Sequence, residues 1–306
     1  MLFSIGRTLY AVVLLIGGVL PLAAQAPAEM QVILLGTGYP RPDPERAGGA
    51  NAVVVGEKVF VVDTGRGVTI RLWATGLPLK NVRAVFLTHL HSDHTSGLPD
   101  LFTSTWVYGR STPLELYGPD GIKGMAEGLL KFFAADIHIR RDLTEMLPAA
   151  GGRINTHTVK EGLVYEDPDV RIIAFRVDHR PVVPAFGFRF ESKDAEGGVT
   201  KTIVISGDTH PNENLVQHAR GVDVLVHEVC LPEFFDQSDT PEVAAILKRY
   251  HTSADEVGQV AAAAGVKLLV LTHVIPGDTA SESTFLERAG KNFKGKIVVG
   301  HDLMRF

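Results

Sequence analysis

The sequence has little cysteine: Cys230 is the only one in 306 residues. No internal disulfide is possible, and a cysteine-rich zinc site is excluded. Any metal must therefore be held by histidine and carboxylate. The chain also lacks a positive surplus. Thirty Lys and Arg stand against 35 Asp and Glu, for a formal charge of −5. A general nucleic-acid binder carries a basic excess, so this balance argues against a nucleic-acid partner, although it permits a local basic groove. No repeat or low-complexity tract is present. No apolar run reaches the roughly 20 residues of a membrane span.

The longest such run, Leu9 to about Leu22, follows a lone Arg7 and precedes small residues from Ala23 to Ala28. This is the layout of a secretory signal peptide. We expect residues 1–26 to be that signal, with an approximate cut because Pro27 directly follows Ala26. Residues 27–306 then form one folded domain, exported to the periplasm or beyond, with no stable membrane association after cleavage. An uncleaved N-terminal anchor is the alternative.

What is abundant is apolar sequence, 45% of the chain, enough for a substantial core. "MQVILLGTG", "NAVVVG" and "VFVVDTG" are β-branched runs closed by glycine and predict adjacent strands. "GVTIRLWATG" predicts a short helix ending at Gly76. "VRIIAFRVDH", "AFGFRFE", "TKTIVISGDT", "DVLVHEV" and "VKLLVLTH" predict further strands. "TSADEVGQVAAAAG" predicts a helix, with capping-box spacing between Ser253 and Glu256 and a stop at Gly265. Strands alternating with helices indicate an α/β architecture. Five apolar strands end in "FLTH", "RVDH", "ISGDT", "LVHE" and "VLTH". In open α/β folds, functional groups gather beyond the carboxyl ends of strands.

The densest signal is "THLHSDHTSG", which places His89, His91, Asp93 and His94 within six residues after a predicted strand. A lone His-x-His is weak evidence among 12 histidines, but the full His-x-His-x-Asp-His pattern is specific. Side chains this close cannot all serve one ion without strain; alternate ones can serve two neighbouring ions.

The motif resembles the signature of the metallo-β-lactamase superfamily, whose members share an αββα sandwich of two mixed β-sheets flanked by helices. The resemblance runs from about Gln31 to the C-terminus. It implies one metal site of His89, His91 and His179, a second of Asp93, His94 and His273, and Asp208 bridging them. Asp63 in "VVDTG" matches an early aspartate that supports the loop without being a ligand. Imidazole and carboxylate donors suit two Zn²⁺ per chain, with Mn²⁺ or Fe²⁺ compatible. The resemblance further implies hydrolysis by a hydroxide lying between the two ions.

Within the superfamily the chain is similar to the ribonuclease Z and arylsulfatase-like branch, through "LELYGPDGIKGM", "AFGFRF", "ISGDT", "VLVHE" and "YHTSADEVGQVAAAAG". That likeness implies catalytic assistance from Glu228 and His251, beside Asp93. Ribonuclease Z enzymes usually carry a long arm that grips transfer RNA; here the corresponding interval is only "ESKDAEGGVTK", Glu191 to Lys201. The expectation is therefore a hydrolase of small phosphodiesters or aryl sulfate esters, with a homodimer compatible. The alternatives are transfer-RNA 3′ processing, a lactone or β-lactam hydrolase on the same ligands, and a metal-binding protein without turnover. Phe102, Trp106 and Tyr108 could line an apolar mouth or pack in a helix core. His210 could stand behind the ligands. His138, His157, His218, His227 and His301 read as structural or surface histidines, and the two prolines of "HRPVVPAF" stiffen a loop beside the site.

Overall fold

The computed structural model describes residues 29–278 and 281–306; the segment read as a signal peptide lies outside them. The β-branched runs form strands. These are β1 (Met30–Gly36), β2 (Ala50–Val55), β3 (Lys58–Val62), β4 (Val82–Phe86), β5 (Leu114–Gly118), β6 (Ile154–Thr158), β7 (Gly162–Glu166), β8 (Val170–Arg176), β9 (Phe186–Lys193), β10 (Val199–Ile205), β11 (Val224–Cys230), β12 (Leu268–Ile275) and β13 (Lys296–Val299). The helices are α1 (Val68–Ala74), α2 (Ser92–Thr95), α3 (Leu98–Val107), α4 (Ile122–Phe132), α5 (Ala134–His138), α6 (Glu213–His218), α7 (Pro241–Tyr250), α8 (Ala254–Ala264) and α9 (Glu282–Asn292).

Strands β1 to β6 form one sheet in chain order, antiparallel up to β3 and parallel beyond it. The second sheet runs β13-β12-β11-β10-β9-β8-β7, parallel from β13 to β10 and antiparallel thereafter. Between the sheets lie Phe60, Phe86, Phe188, Phe190, Val226 and Val270. Leu72, Leu101, Phe102 and Trp106 pack helices α1 and α3 on the outer face of the first sheet. Leu215, Val257, Ala261 and Phe285 pack α6, α8 and α9 on the second. Because each strand alternates its side chains, both sheets bury both faces, which explains why their strands read as continuous apolar runs. The result is a helix–sheet–sheet–helix sandwich, as expected.

Local chemistry sets the boundaries near the site. Helix α8 starts at a capping box: the Ser253 side chain accepts from the Glu256 N–H, and Glu256 accepts from the Ser253 N–H at 2.9 Å. It stops at Gly265, in the left-handed region at φ 63°. Strands β9 and β10 join through a short turn, Asp194 to Gly198, closed by the Asp194 N–H donating to the Gly198 carbonyl at 2.9 Å. No arm interrupts them.

Candidate metal centre

Strand β4 ends at Phe86, and the chain turns through Thr88 into α2. This delivers His89, His91, Asp93 and His94 from one loop. His179 follows β8, Asp208 follows β10, and His273 lies inside β12. Parallel neighbours β10, β11 and β12 present their carboxyl ends on one side, so these side chains meet.

Two groups result. His89 Nε2 lies 2.9 Å from His91 Nδ1, and His179 Nε2 lies 3.4 Å from that same atom. On the other side, His273 Nε2 is 3.2 Å from Asp93 Oδ2, and His94 Nε2 is 3.5 Å from it. Asp208 stands between the groups. Its Oδ1 is 3.3 Å from His94 Nε2; its Oδ2 is 3.5 Å from His273 Nε2 and 3.9 Å from the Nε2 atoms of His89 and His179.

The outward nitrogens are pinned. Asp63, at φ 60°, accepts from the Thr88 N–H at 2.8 Å and from His94 Nδ1 at 2.9 Å. It touches the loop and not the centre, as the resemblance implies. His179 Nδ1 donates to the Tyr250 carbonyl at 3.0 Å, and His89 Nδ1 pairs with the Thr88 hydroxyl at 3.0 Å. Each pin fixes the ring so that Nε2 faces inward, the orientation a metal ligand requires.

Electrostatics favour cations here. Burial holds the His89 imidazole well below its ordinary pKa, and His179 is pushed down to about 4 by the same cause. Both are neutral at pH 7 and ready to donate. Burial opposes ionisation of Asp208, but His273 and His94 outweigh it and hold the carboxyl well below the usual range. Buried His94 Nε2 and Asp208 Oδ1 are close but misaligned, and neither has a hydrogen-bond partner. Polar atoms this buried are normally satisfied. Neighbouring donors at 2.9–3.5 Å match tetrahedral ligands on an ion at 2.0–2.1 Å, which sit roughly 3.4 Å apart. The side chains present thus fit two divalent cations.

Beside this cluster stand Glu228 and His251. His251 Nδ1 lies 3.0 Å from both Glu228 carboxylate oxygens. The Thr209 N–H donates to Glu228 Oε1 at 2.8 Å, tying the dyad to the Asp208 loop. Burial, then the Asp208 charge, push the Glu228 carboxyl well above its usual range, and burial pushes His251 down. One proton is therefore held between the two groups, and His251 Nε2 remains available to the cavity.

That cavity has a volume of about 400 Å³ and is walled by Tyr39, Phe234, Phe235, Leu247 and Tyr250, with His91, Asp93, Asp208, His251 and His273 as its floor. The walls differ from those anticipated. Phe102 and Trp106 are fully buried in the core under α3, and Tyr108 is exposed beside Trp73, 5.2 Å between rings. Helical spacing in α3 points Phe102 and Trp106 at the sheet. The wall residues come from the loop after β1 and from the 232–250 excursion, where no period or motif singles them out. His210 stays outside the cluster, 3.8 Å from Glu256.

The β-lactamase superfamily domain matches residues 59–274. The chain belongs to this superfamily. A protein named ribonuclease Z, from Mycobacterium bovis, is 39% identical over 284 residues, covering 90% of this chain and 97% of that relative. Among solved structures, the metallo-β-lactamase fold protein YhfI from Bacillus subtilis superposes with a TM-score of 0.68 at 18% identity, covering 90% of this chain and 98% of that one. The short form of human tRNase Z gives 0.64 at 24% identity, covering 90% and 98%. These two likenesses establish the metallo-β-lactamase fold. The mycobacterial alignment leaves no room for a long insertion in the relative. The absent arm, read in the sequence as evidence against RNA, therefore does not separate this chain from a protein carrying that name.

Proposed function

We propose that the chain is a metal-dependent phosphodiesterase that cleaves RNA, as a ribonuclease Z-type endoribonuclease. His89, His91 and His179 would hold one divalent cation, Asp93, His94 and His273 a second, and Asp208 both. The nitrogen and oxygen donor set suits Zn²⁺, with Mn²⁺ or Fe²⁺ compatible. Such ions supply Lewis acidity at a phosphoryl oxygen and lower the pKa of water.

The protein's own side chains do the rest. Asp93 keeps an ionised carboxylate on the cavity floor: burial opposes this, but the His273 hydrogen bond and His94 hold its pKa low. Glu228 orients His251 and shares its proton, so His251 Nε2 can deliver a proton to the leaving oxygen. The aromatic walls offer flat faces to a nucleobase.

The observation that carries the RNA reading is the near full-length similarity to a protein named ribonuclease Z. The test is a transfer-RNA precursor with a 3′ trailer, incubated with metal-loaded protein at low salt, where phosphate contacts are strongest. A single cut near the trailer junction supports the reading; an intact precursor sinks it. A second reading keeps the same centre: an exported hydrolase of small aryl phosphodiesters or aryl sulfates. The acidic charge balance and the N-terminal apolar run favour it. Turnover of bis(p-nitrophenyl) phosphate or p-nitrophenyl sulfate with no cut in the precursor would select it.

A further inference from the structure

Beside the centre, sharing Asp208 and His273 with the larger cavity, lies a second cavity of about 20 Å³. Asn51, Thr272, His273 and Glu228 are among its lining residues. Five buried atoms of its lining residues have no hydrogen-bond partner: His94 Nε2 and Asp208 Oδ1, which belong to the metal centre, and Asn51 Oδ1, Thr272 Oγ1 and His273 Nδ1, which the centre does not use. Asn51 is 5% exposed, Thr272 7% and His273 3%. Asn51 is also out of place in its strand: β2 reads "ANAVVV", buried throughout, and Asn51 is its one polar side chain. A lone buried amide oxygen in such a strand is costly unless it is bonded.

We infer that this cavity is a built site for one water molecule, which bridges Asn51 and Thr272 to His273 and makes both positioning residues for that histidine. The volume exceeds the roughly 10–15 Å³ that one water needs, and three partners match its usual bonding. The polarity is consistent. The water donates to Asn51 Oδ1 and to Thr272 Oγ1, and accepts from the His273 Nδ1–H. A neutral imidazole carries one proton. Placing it on Nδ1 leaves the Nε2 lone pair toward Asp93 and Asp208, the orientation a metal ligand requires. Asp63 does this for His94 and the Tyr250 carbonyl does it for His179; the water does it for His273.

The inference rests on the metal-centre reading, and its test separates the two. The variants are Thr272→Val, which keeps shape and removes the hydroxyl, and Asn51→Leu, with Thr272→Ser as the conservative rescue. Zinc affinity is read by competition with a chromogenic chelator, and the His273 Nδ1–H by ¹⁵N NMR of the zinc-loaded protein. We expect Thr272→Val to bind zinc about 10–100-fold more weakly and to shift the Nδ1–H resonance, with Thr272→Ser close to wild type. A high-resolution crystal structure of the wild type should show one water within hydrogen-bond distance of all three atoms. Wild-type zinc affinity in Thr272→Val, or a wild-type cavity without water density, overturns the inference and leaves the metal centre intact. A wild-type protein that binds no metal overturns both.

Discussion

Gly65 sits where two backbone segments cross, between Gly48–Gly49 and the Asp93–His94 turn. Its N–H donates to the Gly49 carbonyl at 3.1 Å, and the neighbouring Thr64 N–H donates to the His94 carbonyl at 2.7 Å. A β-carbon added at Gly65 would lie 2.3 Å from the Gly48 carbonyl carbon, 2.5 Å from the Asp93 oxygen and 2.6 Å from the Gly48 oxygen. All three are backbone atoms, so no side chain can swing aside. Reaching ordinary contact requires the segments to part by about 1 Å, an overpacking that typically costs about 1–3 kcal/mol. A chain of this size loses roughly 2–4 °C in Tm per kcal/mol, so Gly65→Ala should melt about 2–12 °C lower. The same shift exceeds the roughly 0.5 Å that a preorganised site tolerates, so zinc affinity should fall as well. Gly124→Ala is the control: it lies in α4, and no heavy atom falls within 4 Å of its added carbon. It should be neutral or stabilising by up to ~1 kcal/mol. Thermal unfolding with metal counted in the same samples decides the matter. A Gly65→Ala protein that melts within a degree of wild type with full metal would refute the crossing argument.

Other outcomes follow from the same geometry. His251→Ala and Glu228→Gln should keep metal but lower kcat by about 10²–10⁴-fold; native turnover in His251→Ala would remove the dyad from the mechanism. Buried His227 is pushed down to about 4, chiefly by burial. Its contribution to stability is full above the unfolded value of about 6.5 and is lost as pH falls toward the folded value. His227→Gln should therefore flatten the acid limb of a urea-midpoint profile between about pH 6.5 and 4, and an unchanged limb would contradict this. Burial also raises the Cys230 thiol far above its ordinary range, so a thiol reagent at pH 8 should label it only after denaturant is added. Phe86 packs against Phe60, Tyr117, Phe188 and Phe190 between the sheets; Phe86→Ala should cost about 3–5 kcal/mol by chemical denaturation.

Much of this architecture is legible in the sequence because two periodicities carry it. Buried strands such as "VILLG" and "NAVVV" are apolar on both faces, and α8 announces itself with Ser253, Glu256 and Gly265. The candidate ligand cluster is legible because His89, His179, Asp208 and His273 close or follow apolar strand runs and His91, Asp93 and His94 share the loop that His89 opens. Two features resist reading. The cavity walls come from Tyr39 and the 232–250 excursion, and only the tertiary fold brings them over His251. Phe102 and Trp106 follow the metal loop closely, yet helix geometry turns them into the core. Asn51 is a further readable sign: a lone amide in an otherwise apolar strand marks a buried polar environment, and only the tertiary fold brings Thr272 and His273 beside it.

The proposed function requires a two-metal centre that cuts RNA. One assay tests it directly: a 3′-extended transfer-RNA precursor incubated with protein whose bound metal has been counted, beside Asp208→Ala. The account predicts two divalent ions per wild-type chain and a discrete cut near the trailer junction, with metal and cleavage lost together in Asp208→Ala. An uncut precursor with two ions bound, or cleavage that survives Asp208→Ala at the wild-type rate, would contradict it.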